Sequence, residues 1–209
     1  MKKKFLQERT IKKSPFLLFD AWHSEARSRL REFSDAMTLA TSLHEKPNAR
    51  IIFLRGFDKN GFRFFTNYNS RKGKELLSNP NACLLFFHRL GVSKNKIVLR
   101  QINISGSVEK LKEKDSDRYF AHRPRGSQLG AWASPQSEAI ANRETLEAWY
   151  EAYTRHFKGK KVKRPPHWGG YRLVPVSFEF WQGRENRLHD RILFTKQKSG
   201  RWKMQRLAP

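Results

Sequence analysis

The chain has 209 residues, of which 38% are hydrophobic, and it includes 16 phenylalanines and 6 tryptophans. This length and composition suit one domain, residues 1–209, with residues 1–13 expected to form a short flexible arm. No apolar run approaches the roughly 20 residues that cross a bilayer, which argues against a membrane protein. Cys83 is the only cysteine, so an intrachain disulfide is excluded and we expect a cytoplasmic protein.

The formal net charge is +24, from 43 Lys and Arg residues against 19 Asp and Glu residues. Such an excess predicts attraction to polyanions. The densest basic runs are Lys2 to Lys4, Lys12-Lys13 and KGKKVKR at 158–164. Because charge alone gives only non-specific binding, a solvated basic surface and a non-specific nucleic-acid surface both stay open.

Four helices are predicted. Ser14-Pro15 has the chemistry of a helix start, and apolar residues then recur at helical spacing to about Phe33. The other three are SRKGKELLS (70–78), Glu113 to His122, and an amphipathic helix from Arg143 to Phe157. The segment RPRGSQLGAWASPQS (123–137) is rich in Pro, Gly and Ser, and we expect a loop there.

Short β-rich runs fill most of the remaining chain. They are AMTLAT (36–41), RIIFLRG (50–56), FRFFTN (62–67), ACLLFFH (82–88), IVLRQINISGSVEKL (97–111), YRLVPV (171–176), SFEFWQ (177–182), RILFTKQ (191–197) and RWKMQRL (201–207). We expect the first three to form a meander, 82–88 to be buried on both faces, 90–96 to be a loop, and Gly106 to bend its strand. The pattern favours a mainly β fold, an antiparallel barrel with peripheral α-helices.

Several common motifs are missing from the sequence. It has neither a glycine-rich dinucleotide fingerprint after a strand nor a P-loop, which argues against those two nucleotide folds. It also has no H-E-x-x-H motif and no cysteine pair, so we expect no metal site. GSQLG at 126–130 lacks the glycine spacing of a nucleophile elbow, which argues against serine hydrolysis.

Two clusters offer groups that grip phosphate. In the first, Arg50 and Arg55 flank one strand, while Thr66 precedes Arg71 and Lys72 at a predicted helix start. The second combines a phenol, guanidinium groups and a hydroxyl in the run from Tyr119 through Arg123 to Ser127. For the first cluster the alternative is a solvated helix start with ordinary surface charges.

A third cluster lies in FWQGRENRLHDR (180–191). Trp181 offers a flat apolar face, Arg187 and Arg191 offer planar cations, and His189 offers an imidazole that titrates near neutral pH. These groups suit an aromatic heterocycle, although an aromatic core residue beside surface arginines would give the same pattern.

Taken together, these stretches resemble the pyridoxine (pyridoxamine) 5′-phosphate oxidase family. The resemblance covers nearly everything after residue 14. It is carried by RIIFLRGFDKNGFRFFTNYNSRKGKEL, RQINISGSVEKL, YFAHRPRGSQLGAWASPQS, PPHWGGYRL, EFWQGRENRLHDRI and the terminal RLAP.

The resemblance implies an FMN-binding split β-barrel with peripheral helices, assembled as a homodimer whose sites lie at the subunit interface. The implied FMN-binding residues are Arg50, Ile51, Leu54, Arg55, Phe65, Thr66, Arg71, Lys72, Gln101, Gln136, Ser137, Trp181 and Arg191, with Gln136 and Ser137 coming from the partner subunit. The implied substrate-binding residues are Arg55, Tyr119, Arg123, Ser127, Arg187 and His189. Arg187 and His189 are also the implied catalytic pair.

The implied reaction converts pyridoxine or pyridoxamine 5′-phosphate to pyridoxal 5′-phosphate, with dioxygen as acceptor and hydrogen peroxide as product. This chain departs from the family pattern at Arg55, where lysine is usual, in a longer 87–99 segment, and in a short segment before Ser14. Two alternatives stay open: a flavin-binding split-barrel protein with a lost or changed substrate, which these departures suggest, and a basic nucleic-acid-binding protein, which the charge of +24 suggests.

Overall fold

A computed structural model describes residues 6–93 and 96–209. Its α-helices are α1 (Pro15–Leu30), α2 (Arg71–Ser78), α3 (Glu113–Ala121), α4 (Arg125–Ala133) and α5 (Arg143–His156). Its strands are β1 (Ala36–Leu43), β2 (Lys46–Phe53), β3 (Phe57–Asp58), β4 (Gly61–Asn67), β5 (Asn81–Ser93), β6 (Lys96–Lys110), β7 (Trp168–Gln182), β8 (Asp190–Lys196) and β9 (Trp202–Arg206). The predicted helices and most of the predicted strands are confirmed.

The described strands form one sheet of nine, in the order β2-β1-β5-β6-β7-β4-β3, with β8 and β9 added beside β7. Every recorded pairing is antiparallel. β6 and β7 are long enough to pair with different neighbours along their lengths. The described strands thus form an open antiparallel sheet with peripheral helices, which confirms the expected mainly β class.

The inner face of the sheet holds the main core. Alternate residues of β5, β6, β7 and β8 are buried, as the two-residue period of a strand requires. Eight phenylalanines have less than 2% of their surface exposed: Phe19, Phe62, Phe64, Phe86, Phe120, Phe178, Phe180 and Phe194. A smaller cluster around Phe120, Leu129 and Trp168 packs α3 and α4 against the start of β7.

Three strand predictions were wrong. β4 pairs with β3 and β7 rather than with β2, so 36–67 is no simple meander. β5 runs on to Ser93 and β6 starts at Lys96, so most of the expected 90–96 loop is strand, while residues 94 and 95 lie outside the described residues. β5 is also not buried on both faces, since Phe87 is 58% exposed.

Two further predictions were wrong because proline and glycine residues were taken as signs of a loop or a strand end. The expected loop at 123–137 contains α4, in which Leu129 and Ala133 are buried and Leu129 belongs to the smaller cluster. The runs 171–176 and 177–182 form the single strand β7, although Pro175 lies inside it. The pairing shifts there: Ser105 faces Ser177 and Gly106 faces Pro175. This bulge leaves Val176 unpaired with β6, which is where a strand tolerates proline.

The expected flexible arm is packed where the structure describes it. Leu6 is only 4% exposed and belongs to the main core. The Arg206 guanidinium donates to the Leu6 carbonyl and to the Glu8 carboxylate. Lys2 to Lys4 lie outside the described residues. No helix in 6–93 or 96–209 combines the length and hydrophobicity needed to cross a bilayer.

Candidate active site

A polar cavity of about 300 Å³ opens where the end of β2 approaches β4 and the start of β7. Its lining includes eight residues that the sequence predicted for a site: Ile51, Arg55, Phe65, Thr66, Lys72, Tyr119, Arg123 and Gln136. Three of these are cations, and no carboxylate lies among the described lining residues. The cavity therefore has the charge that a phosphate-bearing ligand needs.

An aromatic stack forms one wall. The rings of Phe65 and Tyr119 are parallel with centroids 3.9 Å apart, and the Trp168 ring lies nearly parallel beside both, 5.5 Å from Phe65 and 6.2 Å from Tyr119. The Arg123 guanidinium covers Trp168 at 4.6 Å from the ring centroid. Burial lowers the pKa of Arg123, and its Nη1 is buried with no hydrogen-bond partner among the described residues. An unpaired buried guanidinium nitrogen is costly, so an anion from solution would stabilise this arrangement.

The opposite wall comes from the start of α2. The Ser70 hydroxyl caps this helix by accepting from the Gly73 amide, and it donates to the Asn67 carbonyl. This cap fixes the backbone that carries Lys72. The ammonium of Lys72 lies 2.7 Å from Oε1 of Gln136, and the Thr66 hydroxyl lies 3.2 Å from the same oxygen.

That contact corrects the expectation that the partner subunit supplies Gln136. The side chain reaches Thr66 and Lys72 of its own chain, because the segment after α4 folds back over β4. Ser137 follows with a backbone φ of 75° and is exposed. It does not line the cavity in the described structure.

The ammonium group of Lys72 has a lowered pKa. Burial, helped by the nearby charge of Arg50, lowers its pKa to about 8, while Glu75 opposes this shift. The ammonium is therefore close to losing its proton in the ligand-free protein. A bound dianion would favour the charged form.

A second group of predicted residues lies on the outer face of the sheet. Gln101 on β6 is directly opposite Trp181 on β7, and Trp181 is directly opposite Arg191 on β8. Arg191 donates to the Glu179 carboxylate at 2.8 Å. The His189 ring lies 4.7 Å from the Trp181 ring, between centroids. These four side chains form a continuous aromatic and cationic surface.

The loop before β8 fixes the tautomer of His189. The Arg184 amide donates to Nδ1 of His189 at 3.0 Å, so the neutral ring carries its proton on Nε2. Asn186 and Arg187 have backbone φ values of 54° and 59° in a short 3-10 turn. Such values are unfavourable for residues other than glycine and cluster at functional loops.

One chain holds these two groups far apart. Trp168 of the cavity and Trp181 of the outer surface occupy opposite ends of β7, roughly 40 Å apart along the strand. Round the sheet, β2 lies four strands from β7, or about 19 Å. Ile51 and Phe53 of the cavity lining nevertheless lie on the same outer face of the sheet as Trp181. A ligand that touched both groups would have to bridge this separation or draw the two groups from two chains.

Four other predicted residues are not among the described lining residues of the cavity: Arg50, Leu54, Arg71 and Ser127. Leu54 is 3% exposed and belongs to the core, so only its backbone could face a ligand. Ser127 is exposed near the start of α4 and is not among the lining residues.

The basic run 158–164 follows α5 at the surface, where Arg164 pairs with Asp117 at 2.6 Å and all four lysines are exposed.

Sequence reasoning gave no role to two residues of the first group. Trp168 supports Phe65 and Arg123, and its motif PPHWGG was noted without a function. Glu75 lies beneath Arg50 and Arg71 and bonds to both. The spacing of Arg71 and Glu75, four positions apart on a predicted helix, was a usable signal for that pair.

Comparisons with known proteins identify the family. Residues 24–156 match the family model described as pyridoxamine 5′-phosphate oxidase, and residues 168–209 match the pyridoxine 5′-phosphate oxidase C-terminal dimerisation region. A pyridoxine/pyridoxamine 5′-phosphate oxidase from Microcystis aeruginosa is 49% identical over 98% of this chain and 92% of its own. One from Burkholderia thailandensis is 50% identical over 95% and 91%.

Solved structures share the fold. PhzG from Burkholderia lata, in complex with tetrahydrophenazine-1-carboxylic acid, superposes with a TM-score of 0.88 at 29% identity, covering 100% of this chain and 98% of its own. A pyridoxamine 5′-phosphate oxidase-related, FMN-binding protein from Nostoc punctiforme has a TM-score of 0.71 at 18% identity, covering 95% and 100%. The fold is thus the FMN-binding split β-barrel. The two family models and the curated relatives show that this chain belongs to the pyridoxine/pyridoxamine 5′-phosphate oxidase family of oxidoreductases.

Proposed function

We propose that the protein oxidises pyridoxine or pyridoxamine 5′-phosphate to pyridoxal 5′-phosphate, with FMN as cofactor and dioxygen as acceptor. The observation that carries the proposal is the cavity itself. It gathers Arg55, Lys72, Tyr119 and Arg123 beside Thr66, as a site for phosphorylated ligands requires.

The residues present fit FMN. Lys72 and Thr66 already share one oxygen, the amide Oε1 of Gln136, and a phosphate oxygen could take the same position. Arg50 and Arg71 both donate to the Glu75 carboxylate next to the cavity and would add charge for the phosphate. Gln101, Trp181 and Arg191 would meet the ring system from the other chain. When bound, FMN would accept hydride from the substrate and pass the electrons to dioxygen, giving hydrogen peroxide.

The remaining work is alignment and proton handling. The buried Nη1 of Arg123, which has no hydrogen-bond partner among the described residues, would hold the substrate phosphate together with Arg55 and the Tyr119 hydroxyl. His189 would donate from Nε2 to a ring substituent of the pyridine, because its Nδ1 is occupied by the Arg184 amide. Arg187 would fix the other edge of the ring.

The proposal includes a homodimer with two sites at its interface. An apolar row crosses the outer face of the sheet: Ile51 is 64% exposed, Phe53 is 42% exposed and Phe87 is 58% exposed. Phe87 is directly opposite Gln101, so this row leads to the Trp181 surface. Covering it with a second copy would place the cavity of one chain against the Trp181 surface of the other.

Purified protein tests the proposal directly. We expect a yellow protein, or a colourless one that turns yellow with FMN, and formation of pyridoxal 5′-phosphate with equimolar peroxide on adding pyridoxine 5′-phosphate in air. A protein that takes up no FMN would refute the cofactor assignment. A flavoprotein that forms no peroxide with either vitamer would refute the substrate assignment.

A second candidate is a related flavoprotein that oxidises a different substrate. It is favoured by the likeness to PhzG, whose structure holds a tetrahydrophenazine carboxylic acid, and by Arg55, where a forked guanidinium replaces the usual ammonium. Reduction of the bound flavin by a partly reduced phenazine carboxylate, but not by pyridoxine 5′-phosphate, would favour this candidate.

A further inference from the structure

The buried carboxylate of Glu75 lies directly behind the cationic wall of the cavity. Its side chain is 4% exposed, and both carboxylate oxygens accept two hydrogen bonds. Oε2 accepts from the Thr41 hydroxyl at 2.5 Å and from Nη2 of Arg50 at 2.7 Å. Oε1 accepts from the Asn48 amide and from Nε of Arg71, both at 3.0 Å. The carboxylate is therefore fully satisfied within the protein.

The fold brings these donors together from three elements. Thr41 on β1 is directly opposite Asn48 on β2, and Arg50 lies two positions further along β2, so the three share one face of the ladder. Glu75 reaches that face from α2, one helical turn after Arg71. Arg50 is further held by bonds from its Nη1 to the Thr41 hydroxyl and the Leu39 carbonyl.

The network also sets the charge of Glu75 and holds two arginines in place. Burial alone would raise the pKa of Glu75, but hydrogen bonds from Thr41, Asn48 and Arg50 lower it to about 2. The acid is thus charged at all ordinary pH values, and it fixes two arginines that belong to different elements. Arg71 uses only its Nε here, and its side chain stays 67% exposed toward solvent.

We infer that Glu75 is a positioning residue for the cofactor phosphate: it locks Arg50 of β2 and Arg71 of α2 into one rigid anion-binding unit beside Lys72. The inference rests on the proposed function, since it needs a phosphate at this end of the cavity. For a Glu75 variant without the negative charge, electrostatics and positioning predict opposite changes in FMN affinity. Removing a negative charge from a phosphate site should tighten binding on electrostatic grounds, whereas loss of positioning should weaken it.

The test measures dissociation constants of FMN and riboflavin, which lacks the phosphate, by quenching of flavin fluorescence on flavin-free protein. For Glu75→Gln we expect FMN affinity to fall about tenfold, the scale of a lost charged hydrogen bond, and riboflavin affinity to stay within about twofold. Glu109→Gln is the matched control: it breaks the Glu109–Arg172 pair, at 3.3 Å on β6 and β7, and should leave both constants unchanged.

Unchanged or tighter FMN binding by Glu75→Gln would overturn the inference, and so would an equal loss for both flavins, which indicates only a structural role. If wild-type protein binds FMN no better than riboflavin, the phosphate site of the proposed function fails instead. Should Glu75→Gln not fold, Thr41→Val decides by the same FMN-to-riboflavin ratio, since it removes the hydroxyl that joins Glu75 to Arg50 but keeps the carboxylate. We expect a smaller selective loss of FMN affinity for it, and an unchanged ratio would overturn the inference.

Discussion

At the scale of single residues, the binding properties of the cavity depend on the surroundings of its cations. Arg123 is placed over Trp168 by packing and keeps a buried nitrogen unpaired among the described residues. Lys72 instead loses much of its preference for the charged state through burial. Both cations therefore lie in an environment that disfavours their charge. An anionic ligand would relieve this cost, which is how a preorganised binding site gains affinity.

The acidity of Lys72 predicts how FMN binding depends on pH. Its pKa is lowered to about 8, so the free protein keeps the charge below pH 8 and loses it as the pH rises through that value. Binding a phosphate dianion then requires proton uptake, and the dissociation constant should rise between pH 7 and pH 9, by up to about tenfold per pH unit above pH 8.

Lys72→Arg is the comparison for this effect, because arginine stays charged throughout that range. We expect its FMN affinity to be lower than that of wild type at pH 7, since the side chain is larger, but flat between pH 7 and pH 9. Titrations with FMN at several pH values check this. Parallel pH profiles for the two proteins would show that Lys72 does not carry the dependence.

At the scale of elements, the pairing of β6 with β7 depends on one glycine. The register shifts beside Gly106, where the sequence predicted a bend in β6, but the extra residue, Val176, belongs to β7. A side-chain carbon built at Gly106 would lie 2.1 Å from the carbonyl oxygen of Val174, far inside any permitted contact. Only glycine lets the two strands approach so closely here.

We therefore expect Gly106→Ala to lower the free energy of unfolding by about 1–3 kcal/mol, the usual cost of forcing atoms into a packed site. Gly91→Ala is the control, because a carbon built at Gly91 on β5 meets no described atom within 4 Å. Urea unfolding followed by tryptophan fluorescence measures both. Equal stability of the two variants would mean that β6 and β7 can separate without cost.

The elements also show what the sequence could and could not reveal. The helical periodicity of α1, α3 and α5 and the turn chemistry at Asp58 and Gly61 are local signals, and they predicted those elements correctly. The helix α4 was missed because Pro124 and two glycines read as loop residues, while burial of Leu129 and Ala133 stabilises the helix through tertiary contacts. Pro175 suggested a break between two strands where β7 is continuous, because the bulge beside it depends on pairing with β6.

The site was predicted less completely than the fold. Motif resemblance named most of the cavity-lining residues, yet it assigned Gln136 to the partner subunit, and only the contact with Lys72 places it in the same chain. Glu75 escaped notice because its partners Thr41, Asn48 and Arg50 are distant in sequence and meet only through strand register. Such contacts depend on pairing that no local pattern reveals.

At the scale of the whole molecule, the proposed function depends on two groups of residues that one chain holds apart. The cavity around Arg123 and the surface around Trp181 are four strands apart between β2 and β7, and the apolar row from Ile51 to Phe87 that lies between them is exposed. A two-fold dimer through this row would complete both sites at once. The match of residues 168–209 to a dimerisation region, which includes Trp181, His189 and Arg191, supports this assembly.

Complementation between subunits tests this central claim most directly. Arg123→Ala damages the cavity half and Arg187→Ala damages the outer half, so both sites of either homodimer carry a lesion. Co-expressing the two variants with different affinity tags and purifying the heterodimer should give one doubly damaged site and one intact site, with about half of the wild-type oxidase activity per dimer. A heterodimer no more active than the better of the two variant homodimers would show that each site is built within a single chain.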